Sequence, residues 1–150
     1  MKKTLLIVLL LMVGCSKPEP INYQTTLIER DGVWYTKDTN KPYSGPVFTL
    51  YDNGPKHSEG TFRGGKKDKL WSMWYENGEH KEEGSYKIRR FVEGGDKISY
   101  KVGKWTYWHE NGQTWREEFH SSKKANIKEA VGMSIGAWTK WHENGQLEEK

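Results

Sequence analysis

Two His-Glu pairs, His109-Glu110 and His142-Glu143, carry the side chains of this sequence best suited to a metal. Imidazole and carboxylate both ligate zinc, but Zn–N bonds of about 2 Å require ligands that converge on one point. The same slot holds Tyr51-Asp52 and Tyr75-Glu76 in earlier copies of the surrounding sequence, so it accepts a ring with no ligand atom. Equivalent strands one hairpin apart lie roughly 9.5 Å from each other, at about 4.8 Å per strand, too far for both imidazoles to share an ion. The expectation is no metal and no cofactor. The carboxylate pairs Glu82-Glu83, Glu117-Glu118 and Glu148-Glu149 could serve the acid–base chemistry of a glycosidase. Neighbouring residues of a strand face opposite ways, so these pairs read instead as solvated charges that keep strands soluble. There is no Gly-x-Ser-x-Gly, Walker loop or Cys-x-x-Cys pair. No catalytic residue is assigned, and the chain is expected not to be an enzyme.

Indoles are the other chemical resource, with eight Trp in 150 residues. Rows of them can hold sugar rings, lipid headgroups or the apolar patch of a partner protein. Trp71, Trp105 and Trp138 are each followed three residues later by Trp74, Trp108 and Trp141. An odd separation places the two sets on opposite faces of a strand. Trp71, Trp105 and Trp138 are assigned to the structural repeat. Trp74, Trp108 and Trp141, with His109 and His142, form the candidate binding surface.

These residues must be positioned by strands. The phrase Trp105 to Gly112 recurs at Trp71 to Gly78 and Trp138 to Gly145, with a fainter copy at Val47 to Gly54, which is an internal repeat. Each copy ends in Asn-Gly, at Asn53-Gly54, Asn77-Gly78, Asn111-Gly112 and Asn144-Gly145, a hairpin signature read as a type I′ turn with positive φ at both residues. Pro55 lacks an N–H, so the first turn is expected to be looser. Centring the intervening reversals on Gly65-Lys66 and Gly94-Gly95 pairs Phe62 with Lys69, Gly60 with Trp71, Tyr86 with Gly103 and Gly84 with Trp105, so that rings cover glycines. Phe119 with Gly136 continues the series. Lys69 stands where later units have glycine. The second and third units carry ten-residue insertions, the first lengthening both strands and the second, His120 to Ile135, read as strand, loop or helical turn. One residue is missing between Asn111 and Phe119, to be absorbed by a three-residue turn or a bulge within Gly112 to Phe119. A leading module, with a strand over Thr25 to Glu29, a turn at Asp31-Gly32 and a strand at Val33 to Tyr35, caps the array. The fold class is all-β: an elongated antiparallel meander of repeated hairpins forming a single-layer sheet.

Met1-Lys2-Lys3 followed by the apolar run Leu5 to Val13 is too short to span a bilayer as a helix and reads as an export leader. Leu11-Met12-Val13-Gly14-Cys15 resembles the bacterial lipobox, whose cysteine is acylated on sulfur. Cys15 is the only cysteine of the chain, so no internal disulfide forms, and lipidation accounts for it. The resulting division is residues 1–14 leader, 15–22 acylated cysteine and tether, and 23–150 repeat domain. The protein is placed on a bacterial membrane, facing the periplasm or the cell surface. Setting aside Lys2 and Lys3 lowers the formal charge from +4 to +2. Lysines and glutamates interleave along the strands, so nucleic acid is not expected as a partner.

Tyr75-Glu76-Asn77-Gly78, the following Gly84-Ser85-Tyr86, and Gly103 to Trp108 resemble the bacterial variant of the MORN repeat. Lys41-Pro42-Tyr43-Ser44-Gly45-Pro46-Val47 resembles the segment that opens such arrays. The resemblance spans about residues 33 to 150. It implies a MORN-like sheet, an antitoxin-like family with many lipoproteins, and contact with protein or lipid rather than catalysis. The function expected is a membrane-anchored, protein-binding repeat module of immunity or antitoxin-like type. The alternatives are a binder of envelope glycans or lipid surfaces through an exposed Trp row, and an envelope hydrolase.

Overall fold

The computed structural model describes residues 18–90, 95–121 and 135–149. Cys15, the leader and the third-unit insertion over 122–134 lie outside the described residues, as do the readings made of them. Among the described residues, eleven strands and one helical turn follow in chain order: β1 (Ile21–Asn22), α1 (Tyr23–Thr26), β2 (Leu27–Arg30), β3 (Val33–Thr36), β4 (Gly45–Leu50), β5 (Lys56–Arg63), β6 (Lys66–Trp74), β7 (His80–Arg90), β8 (Lys97–Trp108), β9 (Thr114–His120), β10 (Ile135–Trp141) and β11 (Leu147–Glu149). The main sheet runs β1-β4-β5-β6-β7-β8-β9-β10-β11. It is the expected antiparallel meander from β4 onward, with β1 added parallel to β4.

The leading module departs from its sequence reading in one place. Thr25 and Thr26 are helical, because the Asn22 side chain accepts from the Gln24 N–H at 3.2 Å and caps the turn. This turn and the β2–β3 hairpin fold over one face of the main sheet. Tyr23 meets Trp34, Phe62 and Trp71 edge-on, and Leu27, Val47, Phe62 and Trp71 form the buried cluster. A low apolar fraction is thus concentrated under a lid at one end. We call this the covered face.

The Asn-Gly turns are not type I′. At each, the N–H of glycine donates to the carbonyl three residues back, and that residue's own N–H donates to the carbonyl after the glycine, as in Tyr75 with Gly78 (3.0 Å) and Glu79 (2.8 Å). Only the glycines have positive φ, 79° to 105°. This is a three-residue hairpin: a type I turn with a left-handed glycine bulge. Asparagine contributes its side chain, whose Oδ1 accepts from the N–H two residues on at Asn77, Asn111 and Asn144. Pro55 removes that bond from the first turn but leaves both closing bonds intact, at 2.8 and 2.9 Å, so the expected loosening is absent. The true two-residue turns are Asp31-Gly32 and Gly64-Gly65, each with positive φ at both residues.

Bulges set the register. In β5–β6 the pairing steps from Glu59↔Ser72 to Thr61↔Asp68, and in β7–β8 from Gly84↔Trp105 to Ser85↔Val102. Lys69 and Gly103, with φ of 61° and 68°, turn the chain inside these bulges. Phe62 therefore pairs with Lys67 and Tyr86 with Lys101, not with Lys69 and Gly103. The indoles do cover glycine: a Cβ added to Gly60 or Gly84 would overlap the ring of Trp71 or Trp105.

No residue is missing from the third unit. A bulge does fall within Gly112 to Phe119, at Trp115, but His57, Lys81 and Glu148 bulge at the same place after the other turns. Counted from its asparagine, His120 occupies the site of Phe62 and Tyr86, and Glu118 that of Gly60 and Gly84. His120 is buried while Phe119 is exposed, so Phe119 is not the covering ring, although Ile135↔His120 keeps it beside Gly136.

Candidate binding face and turn ladder

The two tryptophan rows differ in environment. On the covered face Trp71 and Trp105 are fully buried, and their Nε1–H groups donate to the carbonyls of Thr61 (3.2 Å) and Ser85 (3.3 Å). Trp138, which lies across from Glu118 instead of a glycine, is half-buried beneath the Arg116 guanidinium.

Trp74, Trp108 and Trp141 lie on the opposite, open face and are half-buried. They belong to one row across the sheet, built from the residues three before and three after each asparagine: Leu50↔Lys56, Trp74↔His80, Trp108↔Thr114 and Trp141↔Leu147. His80 stands between two indoles, 5.3 Å from each, and the Lys56 ammonium caps Trp74 at 5.2 Å. The apolar surface widens through Leu50, Leu70, Phe119 and Leu147, which are 40 to 57% exposed. Beside the indoles runs a second row, Glu59↔Ser72↔Glu83↔Thr106↔Glu117↔Thr139. Its carboxylates are held by Lys56 (2.6 Å), the Ser72 hydroxyl (2.7 Å) and Lys104 (2.5 Å). His80 and Lys56 escaped the sequence reading, although their symmetric offset about Asn77 and Asn53 is visible there.

The histidines of the candidate set go elsewhere. Tyr51, Tyr75 and His109 fill one slot, and each donates to the carbonyl of the open-face tryptophan of the next repeat: Trp74 at 2.7 Å, Trp108 at 2.8 Å and Trp141 at 3.0 Å. Burial, then the Glu76 and Glu110 carboxylates, raises the Tyr51 phenol, and burial followed by Glu110 raises Tyr75, so both stay protonated donors. Asn77 and Asn111 extend the ladder by donating Nδ2 to the carbonyls of Glu110 (2.8 Å) and Glu143 (2.9 Å). His109 is therefore a staple between repeats, while His142 is exposed at the last turn. Among the described residues no group of three or more His, Cys, Asp or Glu is placed to hold a metal.

The pairs Glu82-Glu83 and Glu117-Glu118 split across the sheet as expected, but they are not all solvated. Glu118 is buried on the covered face, bonded by Arg116 (2.8 Å), His120 (3.0 Å) and the Tyr107 hydroxyl (3.2 Å). Lys101 lies over the Trp105 ring at 3.9 Å, bonds the Tyr107 hydroxyl at 2.7 Å and approaches Glu82 at 3.9 Å. Burial lowers the Lys101 ammonium, and burial followed by Glu118 and Glu82 raises the Tyr107 phenol. Each carboxylate oxygen of Glu118 has a donor, but the buried Arg116 Nε and His120 Nδ1 find no partner among the described residues, so the network is only partly satisfied.

A family model described as MORN repeat variant matches three segments of the chain, residues 67–87, 101–121 and 135–150. The matched segments align Tyr86 with His120, the correspondence that the register gives. No curated protein matches the chain, and no solved structure does.

Proposed function

We propose that this chain is a non-enzymatic repeat module that binds a partner protein through its open face, held at a bacterial membrane by acylation of Cys15. MORN repeats point to a binding module. The observation that carries the reading is the division of labour between the tryptophan rows. Trp71 and Trp105 of one row are consumed in packing, while Trp74, Trp108 and Trp141 of the other remain half-exposed on a face with four exposed apolar side chains. A patch of this kind suits an apolar partner surface, and Glu83, held by the Ser72 hydroxyl while Lys56 and Lys104 neutralise Glu59 and Glu117, is placed to meet a basic residue of that partner. Immunity or antitoxin-like neutralisation is the specific form of binding proposed.

The test compares the full chain with Trp108→Ala and Glu83→Lys by crosslinking in its own cells. A discrete protein should crosslink to the wild type and be lost in both variants. The reading fails if no protein is captured, or if capture survives both changes. A glycan-binding face is the second reading, favoured by the regular spacing of the indoles about two strands, roughly 9.6 Å, apart. Retention on envelope glycan that Trp108→Ala abolishes would select it. Cys15→Ser should release the protein from membranes, and persistent membrane partition with normal leader cleavage would refute the anchor.

A further inference from the structure

The rim of the sheet opposite the Asn-Gly turns holds charges in an arrangement the fold alone does not need. At the Gly64-Gly65 turn Arg63 pairs directly with Lys66, and near the far end of β7–β8 Arg90 pairs directly with Lys97. Like charges placed directly across an antiparallel ladder destabilise it, and here two adjacent hairpins both do so. Local rules broken in this way mark functional positions.

The two hairpin ends enclose a cleft of about 450 Å³, lined by Ser44, Arg63, Gly64, Ile88, Arg89, Arg90 and Lys97. Among the described lining residues four are cationic and none is acidic, and one of the four, Arg89, already has a partner of its own. Asp68 occupies only the Nε and Nη2 edge of Arg63, at 3.1 and 3.4 Å. The Ser44 hydroxyl accepts from the Gly64 N–H at 2.8 Å, which leaves its own proton to donate. Guanidinium forks and a hydroxyl donor match the oxygens of a phosphate, and several cations favour a ligand with more than one negative charge.

We propose that this cleft binds a phosphate-class anion of more than one negative charge, either free or presented by a lipid headgroup. The anion would bridge Arg63, Arg90 and Lys97 and relieve the repulsion across Arg90↔Lys97. This site is separate from the open face and from any protein partner there.

The probes are inorganic pyrophosphate, titrated into the full chain by calorimetry at low salt, and cardiolipin vesicles, whose headgroup carries two phosphates, against phosphatidylcholine vesicles in co-sedimentation. Saturable binding is expected in at least one arm, and the arm that responds names the source. Arg90→Gln with Lys97→Gln should weaken it about tenfold or more, as expected for loss of charge-assisted bonds. Lys81→Gln with Lys140→Gln, near the other rim, should leave it within about twofold, the range of a screened surface charge. Circular dichroism melting verifies that both variants fold. Absence of saturable binding in both arms, or equal binding by the Arg90/Lys97 variant and wild type, overturns the proposal.

Discussion

Lys69 shows how a single side chain can oppose its backbone. Its φ of 61° places a lysine where the equivalent bulge of the next repeat has Gly103 at 68°. A left-handed conformation costs a non-glycine residue about 1–2 kcal/mol. Lys69→Gly should therefore raise stability by about 1 kcal/mol in urea unfolding, after the entropy that glycine adds to the unfolded chain is subtracted. Glu118 and His120 make the converse case, since they replace the glycine and ring of other repeats with a buried charged cluster. Glu118→Ala alone should cost about 3 kcal/mol, because Arg116 loses its counter-charge. Restoring the pattern of the earlier repeats with Arg116→Ser, Glu118→Gly and His120→Tyr, which removes the unpaired guanidinium as well, should recover most or all of that loss. The sequence displayed Glu118 as half of a carboxylate pair facing solvent. Its burial depends on Arg116, Tyr107 and His120, whose meeting is decided by register rather than by residue type.

Hairpin order and turn positions were legible because asparagine and glycine recur in phase with the aromatics. The bulges were not, since left-handed φ is written in the sequence only where glycine supplies it, as at Gly103, and is hidden at Lys69. The turn chemistry was half legible: glycine was needed for its φ, as read, but asparagine was needed for its amide. Asn111 closes its own turn through Oδ1 and reaches Glu143 through Nδ2. Asn111→Ala should lower stability by about 1–2 kcal/mol, two hydrogen bonds at roughly 1 kcal/mol each or less, and Asn111→Asp by an intermediate amount. Among the described residues Asn144 bonds only within its own turn, so Asn144→Ala should cost less than Asn111→Ala in the same melting experiment. The candidate site was legible in its tryptophans, whose two faces followed from odd spacing. Which row would be buried was not, because that depends on the side over which the leading module folds.

Across the whole molecule, acidic residues recur in the Asn-Gly turns at Asp52, Glu76, Glu110 and Glu143, while the opposite hairpin ends are mixed, with Arg63, Lys66, Arg90 and Lys97 beside Asp68 and Asp96. The covered face makes a further prediction about alkaline stability. Burial, with the Glu82 carboxylate second, raises the Tyr86 phenol from 10.0 to about 12. A group whose pKa is raised on folding contributes stability that is fully present below its unfolded value and is lost as pH rises through its folded value. Stability should therefore hold below about pH 10 and decline between about pH 10 and 12, followed by phenolate absorbance and circular dichroism together. Tyr86→Phe should flatten that decline, and an unchanged profile would contradict the assignment. A last consequence follows from the strand order, in which β4 to β11 neighbour one another in the order of the chain. A pull on the C-terminal end loads β11 against β10 alone and then β10 against β9, opening bonds in sequence like a zip. Held at its other end, the sheet would lengthen under tension one hairpin at a time, yielding gradually where a sheet loaded in shear would hold and then snap.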